Sequence, residues 1–81
     1  MKLKPLRDNL HRYLVKRGLT TKYNKQVQLF EENWRHRSLK TEMLEPKEFK
    51  VYSFRIDRKY RAIFIIRKDE VEVVEITDHY Q

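Results

Sequence analysis

The sequence predicts an α+β domain in which two N-terminal helices pack on one face of a small antiparallel β-sheet. Apolar residues recur at helical spacing up to residue 34, and their period changes to two from residue 51. Polar breaks then separate three short segments, as they do between the strands of a meander. A length of 81 residues and an apolar content of 40% suit one small core, so we expect a single domain over residues 1–81.

Two amphipathic helices are predicted in the N-terminal half. The first covers residues 5–17, because Pro5 suits a first helical position and Gly18 suits the position just after a helix. The second covers residues 21–34, with Thr20 or Thr21 as its N-cap. The apolar stripe of the first helix is Leu6, Leu10, Tyr13 and Leu14, and that of the second is Tyr23, Val27, Phe30 and Trp34.

A three-stranded antiparallel meander is predicted in the C-terminal half. Its strands are Val51–Ile56, Tyr60–Arg67 and Val71–Thr77, which are rich in β-branched and aromatic residues. Residues 35–50 are less regular, and a short edge strand in this segment is compatible with the pattern.

The parity of the apolar residues predicts the register of the first hairpin. The even-numbered positions of both strands are apolar, so a three-residue loop over residues 57–59 puts them on one face, which the helices can cover. The other, exposed face then carries Ser53, with Arg55 and Arg61 close together across the strands. A loop with an even number of residues would bury Arg61 among apolar side chains, which is costly.

The formal net charge of +7 is unevenly distributed. Residues 1–40 contain 11 Lys and Arg against 3 Asp and Glu, whereas residues 41–81 contain 8 against 9. This basic half favours a polyanionic partner such as RNA, DNA or an acidic protein. A basic surface that only keeps the chain in solution would give the same composition.

Several functional classes receive no support from the sequence. The absence of cysteine excludes disulfides and thiolate metal sites, the three histidines lack metal-ligand spacing, and no Gly-rich phosphate loop exists. The longest apolar run, Ala62–Ile66, is too short to cross a bilayer, and Met1–Leu6 lacks the apolar stretch of a signal peptide. We therefore expect a cytoplasmic protein with no metal, no cofactor and no membrane association.

Candidate chemical groups are scattered along the chain. Glu42 lies just before the predicted meander, and such a glutamate is usually a solvated surface group. His79 and Tyr80 lie at the C-terminal end, where disorder is common. If the fold brings these groups to Arg55 and Arg61, the carboxylate, the imidazole and the paired arginines are what in-line attack on a phosphodiester needs.

Three stretches of the sequence resemble the RelE/ParE superfamily of bacterial toxins, and within it the YoeB-like mRNA interferases. The characteristic block is Tyr52-Ser53-Phe54-Arg55-Ile56 with Tyr60-Arg61-Ala62-Ile63-Phe64, which Ser38-Leu39 precedes and Glu75-Ile76-Thr77-Asp78-His79-Tyr80 follows. The resemblance covers Ser38–Tyr80, about half of the chain, and is looser over the helices. It implies the RelE-like fold, which agrees with the helices and strands predicted above.

The resemblance also implies roles for individual residues. In the YoeB-like branch a glutamate lies thirteen positions before the arginine that Arg55 matches, which makes Glu42 the general base on the ribose 2′-hydroxyl. Arg61 would stabilise charge on the phosphate. His79 and Tyr80 would supply the general acid and a base-stacking or positioning group, and Arg55 would bind phosphate.

Such toxins cut mRNA in the ribosomal A site and are held inactive by a cognate antitoxin, so the resemblance implies an antitoxin, the ribosome and mRNA as partners. The sequence departs from the branch at one point. A lysine usually lies three residues beyond the glutamate, and here Glu45 occupies that position, with Lys47 and Lys50 as nearby candidates for RNA-phosphate binding. The N-terminal strand of the family is expected to be short or absent, because Pro5 follows only four residues.

Two alternatives of other classes remain open from the sequence. One is a non-catalytic ParE-like inhibitor of DNA gyrase, although that group lacks the glutamate and the terminal His-Tyr pair. The other is an inactive toxin-like module that binds RNA or protein, which Glu45 and the weak first strand keep open.

Overall fold

The computed structural model describes residues 1–79, in which two helices precede a four-stranded antiparallel sheet. The helices are α1 (Asp8–Lys16) and α2 (Thr20–Glu32), and the strands are β1 (Glu42–Met43), β2 (Val51–Arg55), β3 (Arg61–Arg67) and β4 (Glu70–Thr77). Single 3₁₀ turns at Arg37–Leu39 and Lys47–Phe49 flank β1. The strand order is β1-β2-β3-β4, and the predicted α+β class is confirmed.

Gly18 ends α1, as predicted, through a Schellman motif. The residue has a φ of 68°, and its amide donates to the Val15 carbonyl (3.1 Å) while the Leu19 amide donates to the Leu14 carbonyl (2.9 Å). Leu14 and Leu19 are both buried in the core, which is the apolar contact that accompanies this motif. The start of α1 lies at Asp8 rather than at Pro5, because Arg7 is still extended.

The predicted threonine cap of α2 is wrong, because the helix begins directly after the Schellman motif. Leu19 has a right-handed rather than an extended backbone conformation (φ −103°, ψ −3°), and its carbonyl already accepts the Tyr23 amide at 2.9 Å. Thr20 is therefore the first helical residue. The helix also ends at Glu32, two residues before Trp34, whose ring nevertheless packs edge-on against Tyr52.

The predicted register of the first hairpin is confirmed. Arg55 lies opposite Arg61, and the Ile56 amide donates to the Tyr60 carbonyl at 2.9 Å, which leaves the three-residue loop 57–59. Asp57 Oδ1 accepts the backbone amides of Lys59 (2.9 Å) and Tyr60 (2.8 Å), so its carboxylate stabilises the turn.

A β-bulge shifts the pairing of β3 with β4. Ile63 pairs with Glu75 and Phe64 pairs with Val73, so β4 carries an extra residue at position 74. The buried positions of β4 therefore change from the odd-numbered Val71 and Val73 to the even-numbered Ile76.

The two helices cover the even-numbered face of the sheet, and Phe30 lies at the centre of this core. Its ring centroid is 5.4 Å from that of Phe54 and 5.1 Å from that of Phe64. Residues of both helices and of β2, β3 and β4 share this apolar cluster.

The short N-terminal strand that the sequence resemblance led us to expect is present only as a single parallel bridge. Leu3 pairs with Val71, and the Lys4 amide donates to the Val71 carbonyl at 2.8 Å. Between residues 1 and 79, neither helix has the length and hydropathy needed to span a membrane.

Candidate active site

The paired arginines lie beside β1, at the end of the sheet that the 57–59 turn closes. Here a depression of about 210 Å³ is lined by Lys40, Glu42, Arg55, Asp57, Arg58, Lys59 and Arg61. Two of the predicted catalytic residues, Glu42 and Arg61, thus share one concave surface with the predicted phosphate-binding Arg55.

Arg61 is held firmly against the sheet. Its Nε donates to Ser53 Oγ (3.0 Å), and its Nη2 donates to the carbonyls of Ser53 (3.4 Å) and Lys40. Only 13% of the side chain is exposed. The planar guanidinium, fixed on several acceptors, is a preorganised positive charge at the base of the depression.

The sheet face that carries these arginines is less exposed than predicted. Ser53 is fully buried, and most of Arg61 is covered. The physical reason is that residues 40–43 run alongside β2: Glu42 pairs with Ser53, and the Lys40 carbonyl binds the Arg61 guanidinium. Ser53 is the small residue that leaves room for the arginine above it.

Glu42 lies in the edge strand β1, with 49% of its side chain exposed. Its Oε1 is 3.8 Å from Arg61 Nη2, an ion-pair distance. A half-exposed carboxylate beside a fixed guanidinium can accept a proton from a nucleophile while the arginine stabilises the anionic group under attack.

Arg55 connects the depression to the helical layer. Its Nε donates to the Asp57 carbonyl (3.1 Å), and its own carbonyl accepts Gln26 Nε2 from α2 at 2.6 Å. The guanidinium is therefore anchored at the hairpin turn, next to Arg61 on the neighbouring strand.

Asp57 holds the turn that borders the depression. Partial burial raises the pKa of Asp57, but the amides of Tyr60 and Lys59 and the nearby Lys22 ammonium outweigh this effect, so the pKa is lowered. Lys22 Nζ lies 3.4 Å from Asp57 Oδ2. The carboxylate stays ionised and pinned in the turn.

His79 lies just beyond β4, at the same end of the sheet. Thr77 is paired with Arg61, and the His79 amide donates to Thr77 Oγ1 at 3.0 Å. The imidazole is 93% exposed, with Nε2 3.3 Å from Asp78 Oδ1. Tyr80, the remaining predicted catalytic residue, lies outside the described residues.

The two lysines predicted to bind phosphate do not join this site. Lys47 lies in the second 3₁₀ turn, and the Lys50 carbonyl accepts the Ile66 amide at the opposite end of the sheet. At about 3.3 Å per residue, five residues of extended chain separate Lys50 from Arg55 by about 16 Å.

The structure adds Lys40, which the sequence did not single out. Lys40 has a φ of 48°, ends the first 3₁₀ turn and lines the depression beside Glu42. It supplies a lysine to the site although Glu45 occupies the usual lysine position. No sequence motif marks it, because its place depends on the path of residues 37–43 against β2.

A metal centre is not found among residues 1–79, where no group of three or more His, Asp or Glu side chains is arranged to hold an ion.

Comparison with solved structures connects this fold to that of a known protein. No protein-family model matches the sequence, and no curated protein matches it significantly. Among solved structures, the chain is similar to the YoeB dimer from Staphylococcus aureus, with a TM-score of 0.64 and 19% identity over 98% of this chain and 94% of that one. The resemblance predicted from the sequence is confirmed at the level of the fold.

Proposed function

We propose that this chain is the toxin of a type II toxin–antitoxin system and a ribosome-dependent endoribonuclease that cleaves mRNA. The observation that carries the proposal is the placement of Glu42 beside Arg61, a carboxylate next to a preorganised guanidinium in an open depression. The fold shared with the YoeB protein supports the same assignment.

In the proposed reaction, the 2′-hydroxyl of the substrate ribose attacks the adjacent phosphorus. Glu42 takes the proton of this hydroxyl, and Arg61 stabilises the charge that develops on the non-bridging oxygens, with Arg55 as a further phosphate ligand. The bond from phosphorus to the 5′-oxygen breaks, and His79 gives this oxygen a proton. The products are a 2′,3′-cyclic phosphate and a free 5′-hydroxyl, while Tyr80 stacks on or positions a base.

The exposure of the acid and the base explains why this chemistry would need the ribosome. General acid–base catalysis contributes about 10²–10⁴-fold, but only when the donor and acceptor atoms are aligned. His79 is almost fully exposed, and free RNA does not hold its 2′-oxygen in line with the scissile bond. A ribosome that imposes this geometry on the mRNA in its A site lowers the activation barrier by holding the 2′-oxygen in line with the scissile bond.

The proposal includes a cognate antitoxin and a cytoplasmic location, where mRNA and ribosomes meet. The face of the depression that carries Arg55 and Arg61 suits an acidic or amphipathic segment of the antitoxin. Lys47 and Lys50 are proposed to contact RNA phosphates away from the scissile bond, because both are exposed and lie at the other end of β2.

Primer-extension mapping in a reconstituted translation mixture tests the proposal. The wild-type chain is expected to cut mRNA only when ribosomes are present, and Glu42→Gln is expected to lower cleavage at least about 10²-fold. Glu45→Gln is the matched control, because Glu45 is exposed and lies three residues away without lining the depression.

Equal cleavage by the wild type and Glu42→Gln would contradict the assigned base. No cleavage by the wild type, together with inhibition of DNA supercoiling by gyrase, would replace the proposal with the gyrase-inhibitor alternative.

A further inference from the structure

A second concave surface, larger than the depression, lies between α2 and the first 3₁₀ turn. This basic groove has a volume of about 570 Å³. Its five cationic lining residues are Lys22, Lys25, Arg37, Lys40 and Arg55. None of the residues that line it is acidic, and Lys25, Arg37 and Lys40 are exposed.

The walls of the basic groove are tied together by Gln26. This side chain is buried, and its Nε2 donates to the carbonyls of Arg55 (2.6 Å) and Ser38 (3.4 Å). The amide thereby fixes α2 to β2 and to the 3₁₀ turn. Lys22 and Lys25 lie three residues apart on the same side of α2, so both project from the fixed wall.

The electrostatics of the basic groove favour an anion. Lys22 is paired with Asp57 at the rim, whereas the other four cations are concentrated in a concave surface that lacks acidic lining residues. Clefts lined by charge of one sign focus the electric field and concentrate ligands of the opposite sign.

The basic groove and the depression adjoin each other. Lys40 and Arg55 line both of them, so a polymer seated on Arg61 would pass directly from one to the other. The lining of the basic groove is polar apart from Ile56, which offers little to the apolar side chains of a peptide. A chain of evenly spaced phosphates matches this lining better.

We propose that the basic groove binds backbone phosphates of the same single-stranded RNA that is cut at the depression, on one side of the scissile bond. The inference rests on the proposed function and extends it. It makes Lys25 and Arg37 substrate-binding residues, and it gives the chain an affinity for RNA strands that does not require the ribosome.

Fluorescence anisotropy with a short, labelled 2′-O-methyl RNA strand tests this without ribosomes. The methyl groups block cleavage, so the dissociation constant reports binding alone. Loss of one phosphate contact makes the plot of log affinity against log salt concentration less steep by about 0.7, which is an affinity about fivefold weaker at 0.1 M salt. We expect this change for Lys25→Ala and for Arg37→Ala, and about twice the slope change for the double variant.

The matched control is Lys16→Ala, which removes an exposed cation of α1 that does not line the basic groove. If Lys25→Ala and Arg37→Ala bind the RNA strand as Lys16→Ala does, the inference is wrong. It is also overturned if the two variants weaken only the binding of an RNA hairpin, which would indicate a surface for structured RNA. Equal affinity for poly-glutamate and for the RNA strand, both lowered by the variants, would indicate a site for an acidic peptide instead.

Circular dichroism and thermal melting establish that each variant is folded, and Lys25→Gln and Arg37→Gln repeat the test with longer side chains. The two proposals have separate readouts, because the 2′-O-methyl strand reports binding without cleavage, whereas Glu42→Gln is read out by the cleavage of mRNA. If Glu42→Gln still cleaves mRNA at the wild-type rate, the assigned catalytic base fails. Loss of affinity in Lys25→Ala would then still support the basic groove.

Discussion

Replacement of Ser53 by alanine should loosen Arg61, because it removes one of the acceptors that hold this guanidinium in the candidate active site. Ser53 Oγ accepts Arg61 Nε at 3.0 Å, and the serine is fully buried. Hydrogen bonds to charged groups contribute about 1.5–3 kcal/mol to stability. We therefore expect Ser53→Ala to lower the free energy of unfolding by about 2 kcal/mol, which is a fall in Tm of about 8–16 °C in a domain of this size.

Urea denaturation of a double-mutant cycle provides the assay. In the Arg61→Ala background, Ser53→Ala no longer removes a partner of the guanidinium. The loss of unfolding free energy that Ser53→Ala causes should then be no more than about 0.5 kcal/mol. Ser38→Ala is the control, because that serine is exposed. An equal cost of Ser53→Ala with and without Arg61, or a cost equal to that of Ser38→Ala, would refute the proposed anchoring.

Three further predictions concern stability. Gly18→Ala should lower stability by about 1–2 kcal/mol in urea denaturation, because the φ of 68° strains an alanine although nothing lies within 4 Å of the added Cβ. Burial, with a smaller effect of Glu31, raises the pKa of Tyr23 from 10.0 to about 12. The free energy of unfolding of the wild type should therefore fall from pH 10 upwards in urea denaturation, and that of Tyr23→Phe should fall less over the same range. Because the pKa of Asp57 is lowered, its carboxylate stabilises the fold above about pH 4, and this stabilisation is lost as the pH falls further. Asp57→Asn should therefore make the free energy of unfolding depend less on pH in the acid range. A dependence of stability on pH that is the same in the variant and the wild type would count against the titration of Tyr23 or of Asp57, respectively.

The helices and the hairpin register could be predicted because short-range patterns determine them. Apolar parity placed Arg55 opposite Arg61, since an even loop would have buried a charge, and Gly18 marked the end of α1. The start of α2 escaped prediction because it depends on Leu19, the residue that completes the Schellman motif and whose carbonyl accepts the first helical hydrogen bond. The extra residue in β4 changes which positions are buried, and alternation alone does not reveal it.

The candidate active site could be predicted only in part. The sequence indicated Glu42 and Arg61, but the burial of Ser53 and the position of Lys40 depend on residues 40–43 packing along β2. The same packing explains why Lys47 and Lys50, though close to Glu42 in sequence, lie toward the far end of the sheet. Sequence distance misleads here because β1 and β2 run antiparallel.

Glu42 and Arg61 are proposed to act together on the scissile phosphodiester. The most direct test is the single-turnover rate of mRNA cleavage on ribosomes saturated with folded wild-type, Arg61→Ala or Glu42→Gln protein. Loss of one preorganised charge-stabilising group lowers such rates about 10²–10³-fold, and we expect a loss of this size for Arg61→Ala, with Glu42→Gln lowered by at least about 10²-fold. Rates within twofold of the wild type for both variants would contradict the account.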